Sequence, residues 1–386
     1  RLLTLYLQNL LSDGPEKRVQ HTPKSQSEIF SPQWYLIGEI FGICYKPEPE
    51  KQSTVKTARL MERKMKSTST PTLKYALSML AITTAIFALL ATASAAEPAS
   101  CSTVRFSDVG WTDITSTTAV ATEILKGLGY KTDIKVLSVP VTYASLSKKD
   151  IDVFLGYWNP SMSADLKPYL DDKSVETVRT NLTGAKYTLA VPKYAYDEGL
   201  KDFKDIATFK DKLGGKIYGI EPDNDGNRLI LDMISKDAFG LKSFELAESS
   251  EQGMLAQVAR SIKSKDPVVF LAWEPHPMNK RFEIAYLTGG DDFFGPNLGG
   301  AKVETNVRAG YTQECTNVGK FLTNLEFQLE MENEIMGKIL DDGEDPAKAA
   351  TAWLKANPAV LDKWLDGVTT VDGKEGLPAV KSELGL

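Results

Sequence analysis

Three tryptophans directly follow predicted strands, and they are the residues of this sequence best placed for binding chemistry. They lie in Ser107-Asp-Val-Gly-Trp-Thr-Asp113, Gly156-Tyr-Trp-Asn-Pro-Ser161 and Leu271-Ala-Trp-Glu-Pro-His276. In open α/β sheets, ligands bind just beyond the carboxyl ends of the strands. One tryptophan at such a position is most simply a core residue, but Trp111, Trp158 and Trp273 at three strand ends together predict an aromatic pocket.

Catalytic chemistry has no comparable signal. Residues 96–386 contain a single histidine, His276, which has a proline on either side and no neighbours at metal-ligand spacing. The sequence contains no Gly-x-Ser-x-Gly, His-Glu-x-x-His, Gly-x-x-x-x-Gly-Lys or Gly-x-Gly-x-x-Gly motif. We therefore expect a structural role for His276, no catalytic residues, no metal and no cofactor, and a binding protein rather than an enzyme.

Charge and composition narrow the classes of partner. The 386 residues are 42% hydrophobic and 25% charged, as in an ordinary soluble chain with enough apolar material for one or two cores. The net charge is -6 for the whole chain and −11 for residues 96–386. Such an acidic body repels a phosphate backbone, so the sequence predicts no nucleic-acid partner and leaves small cations favoured.

Residues 65–95 have the three parts of a secretory signal peptide. Lys66 and Lys74 precede the apolar run 76–90, and the run ends in Ala91-Thr-Ala-Ser-Ala95, which predicts cleavage after Ala95 and a periplasmic protein. An uncleaved membrane anchor is the alternative, but the run is short for a span and is interrupted by hydroxyl side chains. Residues 1–64 precede this leader, and we expect them to be a spurious upstream extension with neither fold nor function.

Strand and helix patterns alternate along the rest of the chain. This alternation predicts an α/β fold of parallel sheets with helices on both faces, and the length of about 290 residues favours two lobes. The predicted strands are 103–106, 134–137, 151–156, 187–191, 217–220 and 268–272; the predicted helices are 116–127, 227–235, 253–264, 320–340 and two shorter ones within 346–364, split at Asn357-Pro358. Trp353 and Trp364 in the last region are expected to pack in the core.

Two cysteines and two polar residues complete the candidates. Cys101 and Cys315 are most simply one disulfide in an oxidising compartment, with a free thiol as the alternative. Asp113 lies two residues after Trp111, so in an extended segment its carboxylate faces the same pocket; alternatively it caps a helix that begins near Ser116. Asn224, just before a predicted helix, is either an N-cap or a ligand contact.

The motifs Gly110-Trp-Thr-Asp113, Gly156-Tyr-Trp-Asn-Pro160 and Trp273-Glu-Pro-His276, with the leader and the two C-terminal tryptophans, carry a family resemblance. Over residues 98–386 the chain resembles the substrate-binding proteins of ABC importers for quaternary amines, and among them those of choline type. The resemblance implies a two-lobed, type II periplasmic binding protein with its ligand in a hinged cleft. We expect lobe I at 98–181 and 288–386 and lobe II at 182–287, because Trp111 and Trp158 belong to the first block of strands and Tyr187 and Asn224 to the second.

The same resemblance implies a ligand and a set of residues. Choline is the expected ligand, with acetylcholine or glycine betaine bound more weakly, and the permease subunits of an ABC importer are the expected protein partners of a monomer. An aromatic box falls on Trp111, Trp158, Tyr187 and Trp273, its polar partners on Asp113 and Asn224, and a disulfide on Cys101 and Cys315. The alternatives are a glycine betaine or carnitine binder of the same class and a secreted choline-ester hydrolase.

Overall fold

The structure, a computed structural model, describes residues 97–386, in which nine strands form one mixed sheet. The sheet order is β2-β1-β3-β9-β4-β7-β5-β6, and β8 pairs with β4 beside this path. The strands are β1 Thr103–Asp108, β2 Lys131–Val136, β3 Val153–Asn159, β4 Val175–Pro192, β5 Lys216–Tyr218, β6 Glu245–Ala247, β7 Phe270–Glu274, β8 Ile284–Tyr286 and β9 Gly300–Arg308.

Helices connect these strands and cover the sheet. The longer ones are Thr112–Gly127, Val139–Ser147, Ser163–Asp171, Asp225–Ser235, Glu251–Ser264, Thr316–Asn324, Leu329–Leu340, Pro346–Ala356 and Gly376–Leu384. Short helical segments are Ala99–Cys101, Lys193–Asp197, Phe203–Phe209, Lys210–Leu213, Ala238–Gly240, Met278–Arg281, Asp291–Phe294, Pro296–Gly299, Tyr311–Glu314 and Val360–Trp364.

The sheet is continuous and mixed, which corrects the expectation of two wholly parallel sheets. β1 pairs in parallel with β2 and β3, and β5 pairs in parallel with β6 and β7. Between these two groups run β4 and β9, and their pairing with each other and with β3 and β7 is antiparallel. β4 joins the groups because it is 18 residues long and changes its partner from β9 to β7 at Lys186. The sequence indicated only its apolar end, 187–191, since the first part, 175–186, is mostly polar and partly exposed.

The C-terminal helices differ from expectation at one point. The predicted helix 320–340 is wrong, because the chain leaves the helical conformation at Leu325 and the Phe327 N–H donates to the carbonyl of Asn181 at 2.6 Å. Leu325 and Phe327 are both buried, so burial and this link to β4 outweigh the continuous helical pattern. The predicted break at Asn357-Pro358 is confirmed, and the rings of Trp353 and Trp364 stack with centroids 6.4 Å apart.

A disulfide joins Cys101 to Cys315, which confirms the pairing expected from the sequence. It links the segment before β1 to the start of the helix Thr316–Asn324, 214 residues later, and restricts the unfolded chain accordingly. Within residues 97–386, no helix combines the length and apolar character needed to cross a membrane. The predicted signal peptide and the predicted upstream extension lie outside the described residues.

Candidate ligand-binding site

A tight turn after β1 places Trp111 just beyond the carboxyl end of that strand. The Asp108 carboxylate accepts hydrogen bonds from the Gly110 N–H at 2.7 Å and from the Thr115 hydroxyl at 2.8 Å. Gly110 has φ of +82°, a conformation that glycine adopts without steric cost. The chain then enters a helix at Thr112 with Trp111 as its N-cap residue, so the indole lies at the start of the helix.

Asp113 is a helical residue, which corrects both sequence-based accounts of its position. The helix begins at Thr112 and not near Ser116, so the segment from Trp111 to Asp113 is not extended. The Asp113 side chain makes no capping hydrogen bond; its Oδ2 accepts from the Trp158 indole N–H at 3.1 Å. Its Oδ1 is buried and has no hydrogen-bond partner among the described residues. The carboxylate nevertheless lines the same pocket as Trp111.

Trp158 and Trp273 lie near the ends of β3 and β7, one residue inside the strand end in each case. Each is followed by a cis peptide bond to proline, Asn159-Pro160 and Glu274-Pro275. The antiparallel pairing of β4 with β7 sets Tyr187 directly opposite Trp273. Strand pairing therefore brings together two aromatic residues that are 86 positions apart in the chain.

Six side chains line one pocket: Trp111, Asp113, Trp158, Tyr187, Ile220 and Trp273. The Tyr187 ring centroid lies 5.8 Å from that of Trp158 and 6.2 Å from that of Trp273. The ring planes cross at 55° and 83°, so the three rings form adjoining walls and not a parallel stack. All five of the predicted residues in this set are at most 6% exposed.

Asn224 lies behind the pocket wall. Its Oδ1 accepts from the Asn227 N–H at 2.9 Å, which makes it the N-cap of the helix Asp225–Ser235, and it also accepts from the Tyr187 hydroxyl at 3.4 Å. A Cβ atom on Gly226 would lie 2.0 Å from that hydroxyl, so the close approach of Tyr187 requires glycine there. The structure thus favours the cap for Asn224, and a direct ligand contact stays a prediction.

Two substitutions of Asn224 separate these roles. We expect Asn224→Ala to lower the free energy of unfolding by about 1 kcal/mol, because the helix loses its cap, whereas Asn224→Ser keeps a capping oxygen and most of the stability. If the amide acts only as a cap, Asn224→Ser also keeps wild-type affinity for choline, the ligand that the resemblance implies. Thermal denaturation and titration of both variants measure this, and weak binding by a stable Asn224→Ser protein assigns the amide to the ligand.

Three carboxyl groups at or near the pocket have raised pKa values. Glu221 accepts a hydrogen bond from the Trp111 indole N–H, and burial raises the pKa of this carboxyl. Burial, with a further contribution from the negative charge of Glu251, raises the pKa of Asp113 to about 8. Glu332, also buried, faces Asp113 from the helix Leu329–Leu340, and its burial raises its pKa well above the usual range. Asp113 is therefore largely protonated at neutral pH.

Sequence reasoning missed Ile220, Glu221 and Glu251. Ile220 and Glu221 follow β5 just as Trp111 follows β1. Their position after a strand was the available signal. Glu251 had a weaker one, since it follows the helix N-cap Ser250 and 44 acidic residues of 96–386 compete with it. His276 is buried between Glu251 and the Met278 N–H, in keeping with the structural role expected for it.

Comparison with known proteins agrees with this geometry. The substrate-binding domain of the ABC-type glycine betaine transport system matches residues 102–356. The chain belongs to this family. A solved structure described as an ABC-transporter choline binding protein in complex with choline is 70% identical, with a TM-score of 0.74, and the match covers 75% of this chain and 100% of that one. A choline binding protein in an unliganded semi-closed conformation is 71% identical, with a TM-score of 0.70, over 74% of this chain and 100% of the other.

More distant relatives support the fold and include proteins described as binding glycine betaine or carnitine. The lactococcal substrate-binding protein OpuAC in complex with glycine betaine shares 24% identity and a TM-score of 0.62 over 68% of this chain and 98% of its own, which supports a type II, two-lobed α/β binding protein. The glycine betaine/carnitine transport binding protein GbuC of Listeria monocytogenes is 32% identical over 133 residues, 34% of this chain and 43% of that protein. The chain is accordingly an α/β substrate-binding protein of an ABC importer, a class that works outside the cytoplasm.

Proposed function

We propose that the chain captures choline in the pocket of Trp111, Trp158, Tyr187 and Trp273 and delivers it to the permease of an ABC importer. The observation that supports this most strongly is the pocket itself: four aromatic side chains surround a buried carboxylate that has one oxygen free of hydrogen bonds to described residues. The 70% identity to a choline binding protein supports the same ligand.

The physical chemistry of choline fits these walls. Its trimethylammonium group carries a full charge and no N–H donor, so hydrogen bonds cannot hold it, and aromatic faces are its best partners. Each well-placed ring contributes about 0.5–2 kcal/mol, and four rings with one carboxylate reach the roughly 8 kcal/mol of a micromolar site. Two of the indoles, Trp111 and Trp158, donate their N–H groups to carboxyl oxygens, which leaves their ring faces free for the cation.

Asp113 supplies the polar part of the site. Its free Oδ1 can accept the hydroxyl of choline, and its negative charge, once formed, attracts the cation. Glycine betaine carries a carboxylate in place of that hydroxyl, so an ionised Asp113 disfavours it. The glycine betaine and carnitine relatives support a binder of those ligands as the second candidate. On this reasoning choline binds more tightly than glycine betaine, and acetylcholine, which lacks the free hydroxyl, also binds more weakly.

The pocket walls come from both of the lobes placed by the sequence at 98–181 with 288–386 and at 182–287. Trp111, Asp113 and Trp158 belong to the first, whereas Tyr187 and Trp273 belong to the second. β4 passes between these two lobes and changes its pairing partner at Lys186. At this position the two lobes can rotate relative to each other. Closure at this hinge encloses the ligand.

Secretion, oligomeric state and absence of catalysis complete the proposal. We place the protein in the periplasm as a monomer after cleavage near Ala95, and assign it no reaction. His276 supports the last point, because Glu251 and Met278 occupy its two ring nitrogens and leave none for a nucleophile.

Fluorescence titration tests the proposal, since tryptophans line the pocket. Purified protein that begins at residue 96 should show a saturable change in emission with choline. Choline with no effect at millimolar concentration contradicts choline capture, and release of choline from acetylcholine by the purified protein contradicts the assignment as a binding protein.

A further inference from the structure

Glu251 joins two walls of the pocket through one buried carboxylate. Its side chain is 1% exposed. Oε2 accepts from the Thr112 N–H at 2.8 Å, and Oε1 accepts from the Thr112 hydroxyl at 2.8 Å and from His276 Nε2 at 3.0 Å. All of its hydrogen-bond partners among the described residues therefore belong to two segments far from it in the chain.

His276 is oriented to donate to this carboxylate. Its Nδ1 accepts the Met278 N–H at 2.9 Å, so the hydrogen of the neutral ring lies on Nε2, which points at Glu251. The His276 ring also packs edge-on against Trp273, with centroids 4.8 Å apart. Glu251 thus fixes the side of the pocket that carries Trp273.

Glu251 also holds the helix that carries Asp113, the carboxyl group expected to contact the ligand. Thr112 is the first residue of the helix Thr112–Gly127, and its neighbours in the chain are Trp111 and Asp113. A carboxylate that accepts the first N–H of a helix both satisfies an unpaired donor and interacts favourably with the helix dipole. Trp111 offers no side-chain cap of its own, so Glu251 performs this function from the start of another helix, Glu251–Ser264.

We infer that Glu251 is a positioning residue that holds the aromatic box in its closed arrangement by capping the Thr112 helix across the cleft. This inference rests on the proposed function. Glu251 and His276 lie within the proposed lobe II, and Thr112 lies within lobe I. Opening the cleft breaks the bonds to Thr112 and leaves the bond to His276 intact, so the carboxylate stays ordered and ready for the next closure.

The substitution Glu251→Gln tests this at constant side-chain volume. A glutamine side chain has one acceptor oxygen, and an NH₂ group replaces the second oxygen of the carboxylate. That NH₂ group therefore meets either the Thr112 N–H or the donors that Oε1 accepts from in the wild type. We expect the choline Kd to rise about ten- to hundredfold, mostly through faster dissociation, because loss of a buried charged hydrogen bond acts chiefly on dissociation rates. Stopped-flow fluorescence measures the dissociation rate, and Thr112→Val, which removes one of the two bonds to Thr112, should give a smaller increase.

A pH profile separates positioning from general stability. The titratable groups that face Asp113 among the described residues are Glu251, Glu332 and the Tyr187 hydroxyl. The substitution removes the negative charge of Glu251, which raises the pKa of Asp113. Glu251→Gln should therefore move the midpoint of the pH dependence of choline binding to lower pH. Glu245→Gln, an exposed glutamate on β6, is the matched control and should change neither the rate nor the midpoint.

The outcomes are distinct. A Glu251→Gln protein with wild-type dissociation rate and midpoint, whether or not its Tm falls, overturns the positioning role. Failure of the wild-type protein to bind choline contradicts the proposed function instead.

Discussion

Choline affinity should rise about tenfold for each pH unit as the pH approaches 8, and should level off above it. Without ligand, burial and the charge of Glu251 raise the pKa of Asp113 to about 8. A bound cation beside the carboxylate favours its ionised form, so the pKa falls on binding and a proton is released. The bound state holds fewer protons than the free state, and binding is accordingly favoured by raising the pH until the free Asp113 is itself ionised. Titration between pH 5.5 and pH 9 measures the slope.

Asp113→Asn removes the titrating group and serves as the comparison. This variant should bind choline with little pH dependence, and more weakly than the wild type above pH 8. A wild-type profile as flat as that of Asp113→Asn contradicts the assignment of the proton to Asp113.

Selectivity should follow the same titration. Two negative charges about 4 Å apart at an effective dielectric near 20 repel by about 4 kcal/mol, an upper figure equivalent to a factor of several hundred in affinity. The preference for choline over glycine betaine should therefore be small below pH 7, grow towards pH 9 and be narrow at every pH in Asp113→Asn. A preference that is constant with pH assigns selectivity to the shape of the pocket.

Trp158→Leu should weaken choline binding by about thirtyfold. The substitution keeps an apolar side chain but removes a buried ring, which contributes about 2 kcal/mol to holding a desolvated cation. It also removes the indole N–H that Asp113 Oδ2 accepts at 3.1 Å. Isothermal calorimetry of the variant measures the loss.

Trp353→Leu is the matched control for this substitution. Trp353 stacks on Trp364 and donates to Glu334 at 2.8 Å, in C-terminal helices whose residues do not line the pocket. We expect it to lower the Tm and leave choline affinity within about twofold of wild type. Equal losses of affinity in both variants contradict a cation–π role for Trp158.

The sequence predicted the pocket well because its signals were local. A strand end followed by tryptophan is visible within about six residues, and three such ends marked Trp111, Trp158 and Trp273, which the structure brings to one site. Asp113 was placed correctly for an incorrect reason, since it reaches the pocket from a helix and not from an extended segment. The disulfide was predictable because only two of the three cysteines, Cys101 and Cys315, follow the predicted leader.

Features that depend on contacts between distant segments were not predictable in this way. The continuous sheet arises from the change of partner along β4, and the break at Leu325 from a hydrogen bond to Asn181. Glu251 contacts Thr112 and His276, which lie 139 and 25 positions away. One sequence does not show which of its many carboxylates makes such contacts.

A calorimetric comparison of choline and glycine betaine at pH 8.5, on protein that begins at residue 96, tests whether this pocket is a choline site. We expect choline to bind at one site per chain with a Kd in the micromolar range or below, and glycine betaine to bind at least tenfold more weakly. Binding of glycine betaine as tight as that of choline, or no measurable heat with choline, would contradict the assignment of this pocket to choline.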